Sequence, residues 1–491
     1  MALTFQTVIG LEIHVQLATK TKLFCSCSTN YIGARPNSNV CPVCLGQPGA
    51  LPVVNGRAVE LAARVGLALG SKVQEATRFH RKNYFYPDLS KDYQISQYDL
   101  PICAGGLVSF TDDEGETVRV AITRAHLEED AGKLVHPSSD GRLAGAAHSL
   151  VDYNRGGVPL LEIVSEPDMT CPAHARLYTE QIRRLVRYLA VSDGDMESGS
   201  LRVDANISQK VSDGRWGSRV EIKNMNSLRA LERALEYEEG RQRKVLSEGG
   251  EIRQETRHWD DGEGKTRSMR SKEEAHDYRY FPDPDLPPLI VDRDRLERVR
   301  SAMPELPWEA ERRLVDAYGL GAEDAKVIAE SAAAVAYLDG CVRAGAEARR
   351  AANWVRTEVL RVLNEKRISL EAFPLKAENL AALLVLVEGK GLSTTAAKDV
   401  FDVMVRDGSP LEAAMAATGV VSGQVSGSRL EEIVETILAA NVEAVEAVEA
   451  VRSGKDLKGK KIKFLQGLVM REIRGQADAV QVEAVLKRKL I

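Results

Sequence analysis

The sequence predicts an α+β protein with a large N-terminal domain on a mostly antiparallel sheet, followed by two all-helical regions. Three observations carry this. Two-residue alternation recurs through the first 292 residues, the proline-rich stretch "FPDPDLPPLIVD" ends it, and helical spacing takes over from residue 293.

The alternation is clearest in "GLEIHVQL". Leu11, Ile13, Val15 and Leu17 share one face, and Glu12, His14 and Gln16 share the other. "SLRVDANIS" repeats it, with Leu201, Val203, Ala205 and Ile207 opposing Arg202, Asp204 and Asn206, and "SRVEIKNMNS" does so around Glu221 and Lys223. Strands with one apolar and one polar face suit an antiparallel sheet packed on one side. "PAHARLYTEQIRRLVRYLAV" reads as a helix between them. Beyond the proline-rich stop, "AKVIAESAAAVAYLDGCV" and "EARRAANWVRTEVLRVLNEKR" have helical spacing. The Gly/Ser-rich break "TGVVSGQVSGS" precedes a second helical set, in which "VEAVEAVEAV" reads as a surface helix. The expected domains are 1–292, 293–405 and 406–491.

A length of 491 residues fits about three domains. With 44% hydrophobic and 28% charged residues, the chain can build ordinary cores. "MALTFQTVIG" has neither the basic stretch nor the apolar run of a secretory signal, and "LAALLVLV" is too short to span a bilayer. The expectation is a cytoplasmic protein with no membrane partner. Net charge is −5, yet residues 453–491 hold ten Lys or Arg against four Asp or Glu. A basic end on an acidic body fits either a local contact with a polyanion or a solvated helix face.

Four of the seven cysteines fall within residues 25–44, as Cys25-x-Cys27 and Cys41-x-x-Cys44. Two short knuckles joined by a loop can close a tetrahedron of thiolates around Zn²⁺. Because sulfur fills all four positions, the metal would be structural and would leave no coordination site for chemistry. Cys103, Cys171 and Cys341 are scattered singly, which argues against a disulfide framework.

Glu12 and His14 lie on the polar face of their strand. "HLEEDAGK" adds His126, Glu128, Glu129 and Asp130, "DYNRGGVPLLEIVSEPD" adds Asp152, Arg155, Glu162 and Glu166, and the other two strands add Arg202, Asp204, Glu221 and Lys223. Carboxylates with an occasional histidine suit Mg²⁺, and neighbouring Arg and Lys suit the charge of a transferring phosphoryl group. No Gly-x-x-x-x-Gly-Lys-Ser/Thr segment occurs, so a P-loop is excluded. "HRKNYFYPDLSKDYQISQYD" interleaves His80, Arg81 and Lys82 with Tyr84, Phe85 and Tyr86, which on its own reads first as a core strand with a basic lead-in and also as a mixture able to stack on an unpaired nucleic-acid end.

At these residues the sequence resembles the GatB family, the B-type component of the aspartyl/glutamyl-tRNA amidotransferases. "GLEIHVQL", "RKNYFYPDL…YQISQYD", "HLEEDAGK", "DYNRGGVPLLEIVSEPD", "GSLRVDANIS", "EIKNMNS" and "TRSMRSKEEAHDYRYFPDPDLPP" look like that family's signatures, in its order. "LQGLVMREIRGQADAVQVEAVLKRKL" resembles its small helical YqeY-like domain. The resemblance implies a cradle domain similar to the glutamine synthetase catalytic fold, a helical domain, and a tail that binds tRNA.

It also implies ATP-dependent transamidation of misacylated Glu-tRNA(Gln) or Asp-tRNA(Asn). The side-chain carboxylate is phosphorylated with Mg²⁺, then attacked by ammonia that a partner amidase, the A-type subunit, releases from glutamine. A small C-type subunit makes up the heterotrimer, and the mischarging aminoacyl-tRNA synthetase is a further partner. Within the matching motifs, Glu12, His14 and Glu128 become the expected metal ligands, with Glu129 and Asp204 for a second ion. Arg155, Arg202 and Lys223 become the expected phosphate contacts. The stretch "DLSKDYQ" departs from the family pattern, with Ser90 and Asp92 where Pro and Gly are common. A non-catalytic zinc-ribbon RNA-binding protein would explain the cysteines and the basic end, but it leaves the Glu12/His14 face idle. A free-standing ligase making a small amide would have no use for the tail.

Overall fold

The computed structural model describes residues 3–137, 146–269, 278–389, 391–420, 427–451, 460–473 and 479–490. Parts of "TGVVSGQVSGS" and of "TRSMRSKEEAHDYRYFPDPDLPP" lie outside these residues.

Ten strands run in order through one sheet. They are β1 (Phe5–Gln16), β2 (His80–Asn83), β3 (Tyr93–Ser96), β4 (Thr117–Glu129), β5 (Pro159–Ser165), β6 (Leu201–Val211), β7 (Val220–Lys223), β8 (Glu255–Asp260), β9 (Lys265–Ser268) and β10 (Phe281–Pro282). The spatial order is β9-β8-β7-β6-β1-β5-β4-β3-β2-β10, and three short strands extend it beside β4. Along this order the pairs are antiparallel except β7–β8, which is parallel. The mixed, largely antiparallel sheet is the one the alternation predicts.

Helices α1 (Gly56–Ala68), α2 (Pro172–Tyr188), α3 (Leu228–Ser247) and α4 (Arg293–Ser301) complete this unit. Local chemistry sets their starts. The Asn55 side chain caps α1 by accepting from the Arg57 and Ala58 amides, and Pro172 opens α2. Ser227 caps α3, and Asp292 caps α4. Leu11, Ile13 and Val15 of β1 and Leu201, Val203 and Ile207 of β6 are buried, as are Tyr178 and Ile182 of α2 and Leu231 and Leu235 of α3. Both α2 and α3 pack on this face of the sheet. Each large apolar side chain so buried stabilises the fold by roughly 1.5–3 kcal/mol. The opposite face of β1, β4, β5, β6 and β7 carries the polar residues.

Asp92 adopts a left-handed backbone with φ of 61°. Glycine reaches this conformation freely and Asp tolerates it, so the substituted turn has a physical basis.

The chain divides between Leu306 and Pro307, because α4 packs on α1 and so stays with the sheet. The second unit is helical, and its described residues form two separate cores. Leu314, Leu338, Trp354 and Phe401 belong to the first, which extends to Ala414 in the helix Leu411–Thr418. Leu430, Val434, Leu465, Val469 and Leu486 form the second. The segment "EARRAANWVRTEVLRVLNEKR", with its helical spacing, is continuously helical from Ala348 to Lys366 but holds a π turn at Val355–Val359. Among the described residues no helix is long and apolar enough to cross a membrane.

Candidate active site

Register decides which side chains meet on the polar face. His14 of β1 stands opposite Glu162 of β5 and Arg202 of β6, and Glu162 stands opposite His126 of β4. One step along, Glu12 stands opposite Asp204. Residues two apart on a strand share a face but lie about 6.5 Å apart along it, so Glu12 and His14 belong to different cross-strand rows.

Two candidate cation sites result. His14, Glu128 and Glu162 each offer a ligand atom within 4.8 Å of one another, and so do Glu12, Asp204 and Glu221. His14 Nε2 lies 3.4 Å from Glu162 Oε2 and 3.6 Å from Glu128 Oε1. His126 Nε2 reaches Glu162 at 3.4 Å. Asn206 donates to Glu12 at 3.1 Å, and Thr256 donates to Glu221 at 2.8 Å. Donor sets of carboxylate oxygens with a single imidazole fit Mg²⁺ or Mn²⁺.

The electrostatics point the same way. Burial pushes the Glu12 carboxyl above its usual range, and the charges of Glu162, Asp204 and Glu221 push it further. Burial disfavours charged His14, but the hydrogen bond and charge of Glu162, with Glu128 and Asp204, outweigh it and raise the imidazole to about 9. Glu162 is held well below its usual range against its own burial, by His126 and His14. Carboxylates this crowded are relieved by a cation, which also displaces the proton from the imidazole.

Beside the two groups lies a cleft of about 400 Å³. Arg202, Lys223, Lys82, Tyr84, Met196, Ser198, Gly199, Asn224, Met225 and Asn226 contribute to its lining. Lys223 pairs with Asp204 and sits 3.1 Å from Glu221. The Lys82 ammonium lies 5.1 Å from the centre of the Tyr278 ring. Burial works against its charge, but Glu128 and Glu162, with two tyrosines, keep its pKa above the ordinary lysine value.

The structure separates the expected site residues. Glu12, His14, Glu128 and Asp204 all reach the polar face, but Glu12 groups with Asp204 instead of with His14 and Glu128. Glu129, expected at a second ion, is on the other face of β4, because consecutive strand residues point opposite ways. There it pairs with Lys91, accepts from the Ile95 amide and lines a separate cavity of about 200 Å³ beside the cysteines. Arg202 lines the cleft and binds Asp130 at 2.9 Å. Arg155 does not line it. Its guanidinium donates to the carbonyls of Ala131 and Gly132 at 2.9 and 2.7 Å and so braces the turn after Asp130.

Glu162 was not among the expected ligands. A signal was present, because a lone carboxylate inside the apolar run "PLLEIVS" calls for a partner. Asp130 was counted among the charged residues of "HLEEDAGK" but given no role. It is buried and accepts from Arg202 and from Gln16, the latter at 2.9 Å.

The four cysteines converge as their spacing predicts, with one sulfur from each within 4.8 Å of the others, a donor set compatible with Zn²⁺. Cys44 accepts from the Cys25 thiol and the Cys41 amide beside the Lys22 charge, which lowers its thiol to about 4. Burial, with the neighbouring sulfurs, pushes Cys27 up to about 11. A shared-proton cluster of this kind is a deprotonatable ligand set for a soft or borderline metal. Tyr31, within the ribbon loop, reaches Gln16 at 3.1 Å, and Gln16 donates to Asp130.

Residues 7–297 match the family described as the GatB/GatE catalytic domain, and residues 336–490 match the GatB domain. The chain is 47% identical over 487 residues to the B-type subunit of the aspartyl/glutamyl-tRNA(Asn/Gln) amidotransferase of Carboxydothermus hydrogenoformans, covering 99% of each chain. It is 48% identical over 488 residues to the protein of that name from Moorella thermoacetica, covering 99% of this chain and all of that one. For the Geobacter sulfurreducens protein of that name, identity is 47% over 489 residues, with 99% and 100% coverage.

Proposed function

The chain belongs to the GatB family, and from that premise we propose that it is the ATP-dependent transamidating subunit of a tRNA-dependent amidotransferase. Its substrates on this reading are tRNA(Gln) misacylated with glutamate, tRNA(Asn) misacylated with aspartate, or both. The observation that carries the reading is the pair of three-ligand groups that reach one cleft through His14, Glu128 and Asp204, where Arg202 and Lys223 also line it.

A carboxylate is a poor electrophile, because an oxide is a poor leaving group. Transfer of the terminal phosphoryl group of ATP to the side-chain carboxylate turns that oxygen into phosphate, which ammonia then displaces to give the amide. In this proposal His14, Glu128 and Glu162 hold one divalent cation, and Glu12, Asp204 and Glu221 hold another. Bound Mg²⁺ supplies neutralisation of the charge on the transferring phosphoryl group. Arg202 and Lys223 contribute fixed positive charge to the same oxygens, and they are oriented for it by Asp130 and Asp204. Arg155 acts one step back, by bracing the turn that carries Asp130. Tyr84 and Lys82 line the cleft, where a ring and a cation suit the unpaired acceptor end of tRNA. Zinc on Cys25, Cys27, Cys41 and Cys44 is structural.

The ammonia comes from a partner amidase, the A-type subunit, with the small C-type subunit as third member of the heterotrimer. The tail, expected from residue 406 and centred on the core that runs from Leu430 to Leu490, contributes tRNA affinity, and the mischarging synthetase is a further contact. The working compartment is the cytoplasm. The test uses the assembled complex with ATP, ammonium and each mischarged tRNA in turn. ATP turnover and amide formation should appear only with glutamyl- or aspartyl-tRNA. ATP turnover that is the same with uncharged tRNA, or no amide with either mischarged species, defeats the proposal.

A further inference from the structure

Lys22 is a lysine with no exposed surface. Lysine is almost never fully buried without partners, because its ammonium is costly to strip of water. Its three donors have three acceptors. Nζ lies 2.8 Å from the Asn39 carbonyl, 3.3 Å from the Tyr153 carbonyl and 3.7 Å from Cys44 Sγ.

These acceptors join two separate parts of the chain. Asn39 and Cys44 belong to the cysteine loop, and Tyr153 belongs to the segment 152–157 that carries Arg155. The same two parts are stitched together around Lys22. Asn39 donates its amide to Asn154 at 2.7 Å, and Asn37 donates its amide to Asp152 at 2.9 Å. Tyr153 donates its amide to Asn37 at 2.8 Å, and the Leu23 amide donates to the Gly157 carbonyl at 2.8 Å. A Cβ on Gly157 would stand 3.3 Å from Lys22 Cδ, so the lysine stem also fills the space beneath that segment.

A zinc ion held by four thiolates has two units of negative charge left over. Buried beside a protein backbone, that charge needs compensation, and Lys22 is the cation whose ammonium reaches a sulfur here. We propose that Lys22 is the counter-charge of the cysteine-bound metal and the positioning residue that ties the metal loop to the Arg155 segment. The proposal rests on the ribbon holding zinc, and its test separates the two.

The experiment measures zinc content of the full-length chain, then zinc release to a chromogenic chelator, for the unaltered protein, Lys22→Met and Lys22→Arg. Met keeps the stem without the charge, and Arg keeps the charge. Lys22→Met should release zinc roughly tenfold faster or more, the range for partners of metal ligands, while Lys22→Arg stays within about threefold. If Lys22→Met does not fold, Lys22→Gln, which keeps donors for the two carbonyls, takes its place. Folding of the Arg variant alone supports a requirement for charge. A metal-free unaltered protein defeats the ribbon reading itself. Zinc in the unaltered protein with equal release from Lys22→Met, or equally fast release from the Met and Arg variants, overturns the role of Lys22 alone. Failure of all three variants to fold makes Lys22 a packing residue and overturns it as well.

Discussion

Glu162 stands between two histidines, within 3.4 Å of His14 and of His126, in a strand whose other residues are apolar except Ser165. A buried carboxylate is tolerated only with compensating partners, and here it has the His14 imidazole, raised to about 9, and the His126 ring nitrogen. Glu162→Gln, Glu12→Gln and His14→Ala should each cut ATP turnover on mischarged tRNA about a hundredfold or more, with ammonium supplied directly and tRNA binding intact. Near-normal turnover in any of them would remove that residue from the metal sites. Glu129→Gln should leave Mn²⁺ affinity unchanged in a calorimetric titration, since its carboxylate faces the other side of the strand. Asp130 offers a pH test. Burial opposes its charge, but Arg202 and Arg155 win and hold its pKa below the ordinary aspartate value. A depressed folded-state pKa means that the stabilisation is present above the unfolded value of about 3.9 and is lost as pH falls through the folded value. Melting temperature should therefore fall on acidification below about pH 4, and Asp130→Asn should flatten that fall. An unchanged acid profile in the variant would contradict the pairing.

The cysteine loop acts at the scale of an element. Its only regular pairing among the described residues is an isolated bridge between Thr21 and Ser28, so its shape depends on turns, side-chain hydrogen bonds and the cysteine cluster. Its contacts lead through Asn37 and Asn39 to the 152–157 segment, and through Tyr31 and Gln16 to Asp130. Elemental analysis should find zinc in the unaltered chain and none in Cys41→Ser, which should melt at a lower temperature, with activity falling as a consequence. An unaltered chain without zinc that melts at the same temperature as Cys41→Ser would return the four thiols to a metal-free cluster.

At the scale of the whole molecule, the second unit has two cores, and the later one, from Leu430 to Leu490, is self-contained. Residues 453–491 carry the surplus of basic residues. Deleting the chain from residue 427 should therefore spare the earlier core and the sheet unit, as judged by circular dichroism. It should also weaken tRNA binding and flatten the salt dependence of what remains, because phosphate contacts release counterions. Equal affinity and an equal salt slope after truncation would mark those residues as solvated surface.

The sequence by itself determined which face each strand presents, where the four cysteines converge and which kinds of side chain share the cleft. Alternation and Cys spacing are short-range codes, readable without the fold. It could not say who stands beside whom. Glu12 meets Asp204 and His14 meets Glu162 through pairings that span most of the sheet unit, and such register is a property of the assembled sheet. "HLEEDAGK" offered both Glu128 and Glu129 as ligands, and only the pairing of β4 turned one toward the cleft and the other toward Lys91. Arg155 lies in a loop without periodicity, so only the carbonyls that the folded chain brings within its reach decided that it braces Ala131 and Gly132. Periodicity encodes direction, whereas lateral neighbours and loop conformations are set by hydrogen bonds between distant parts of the chain.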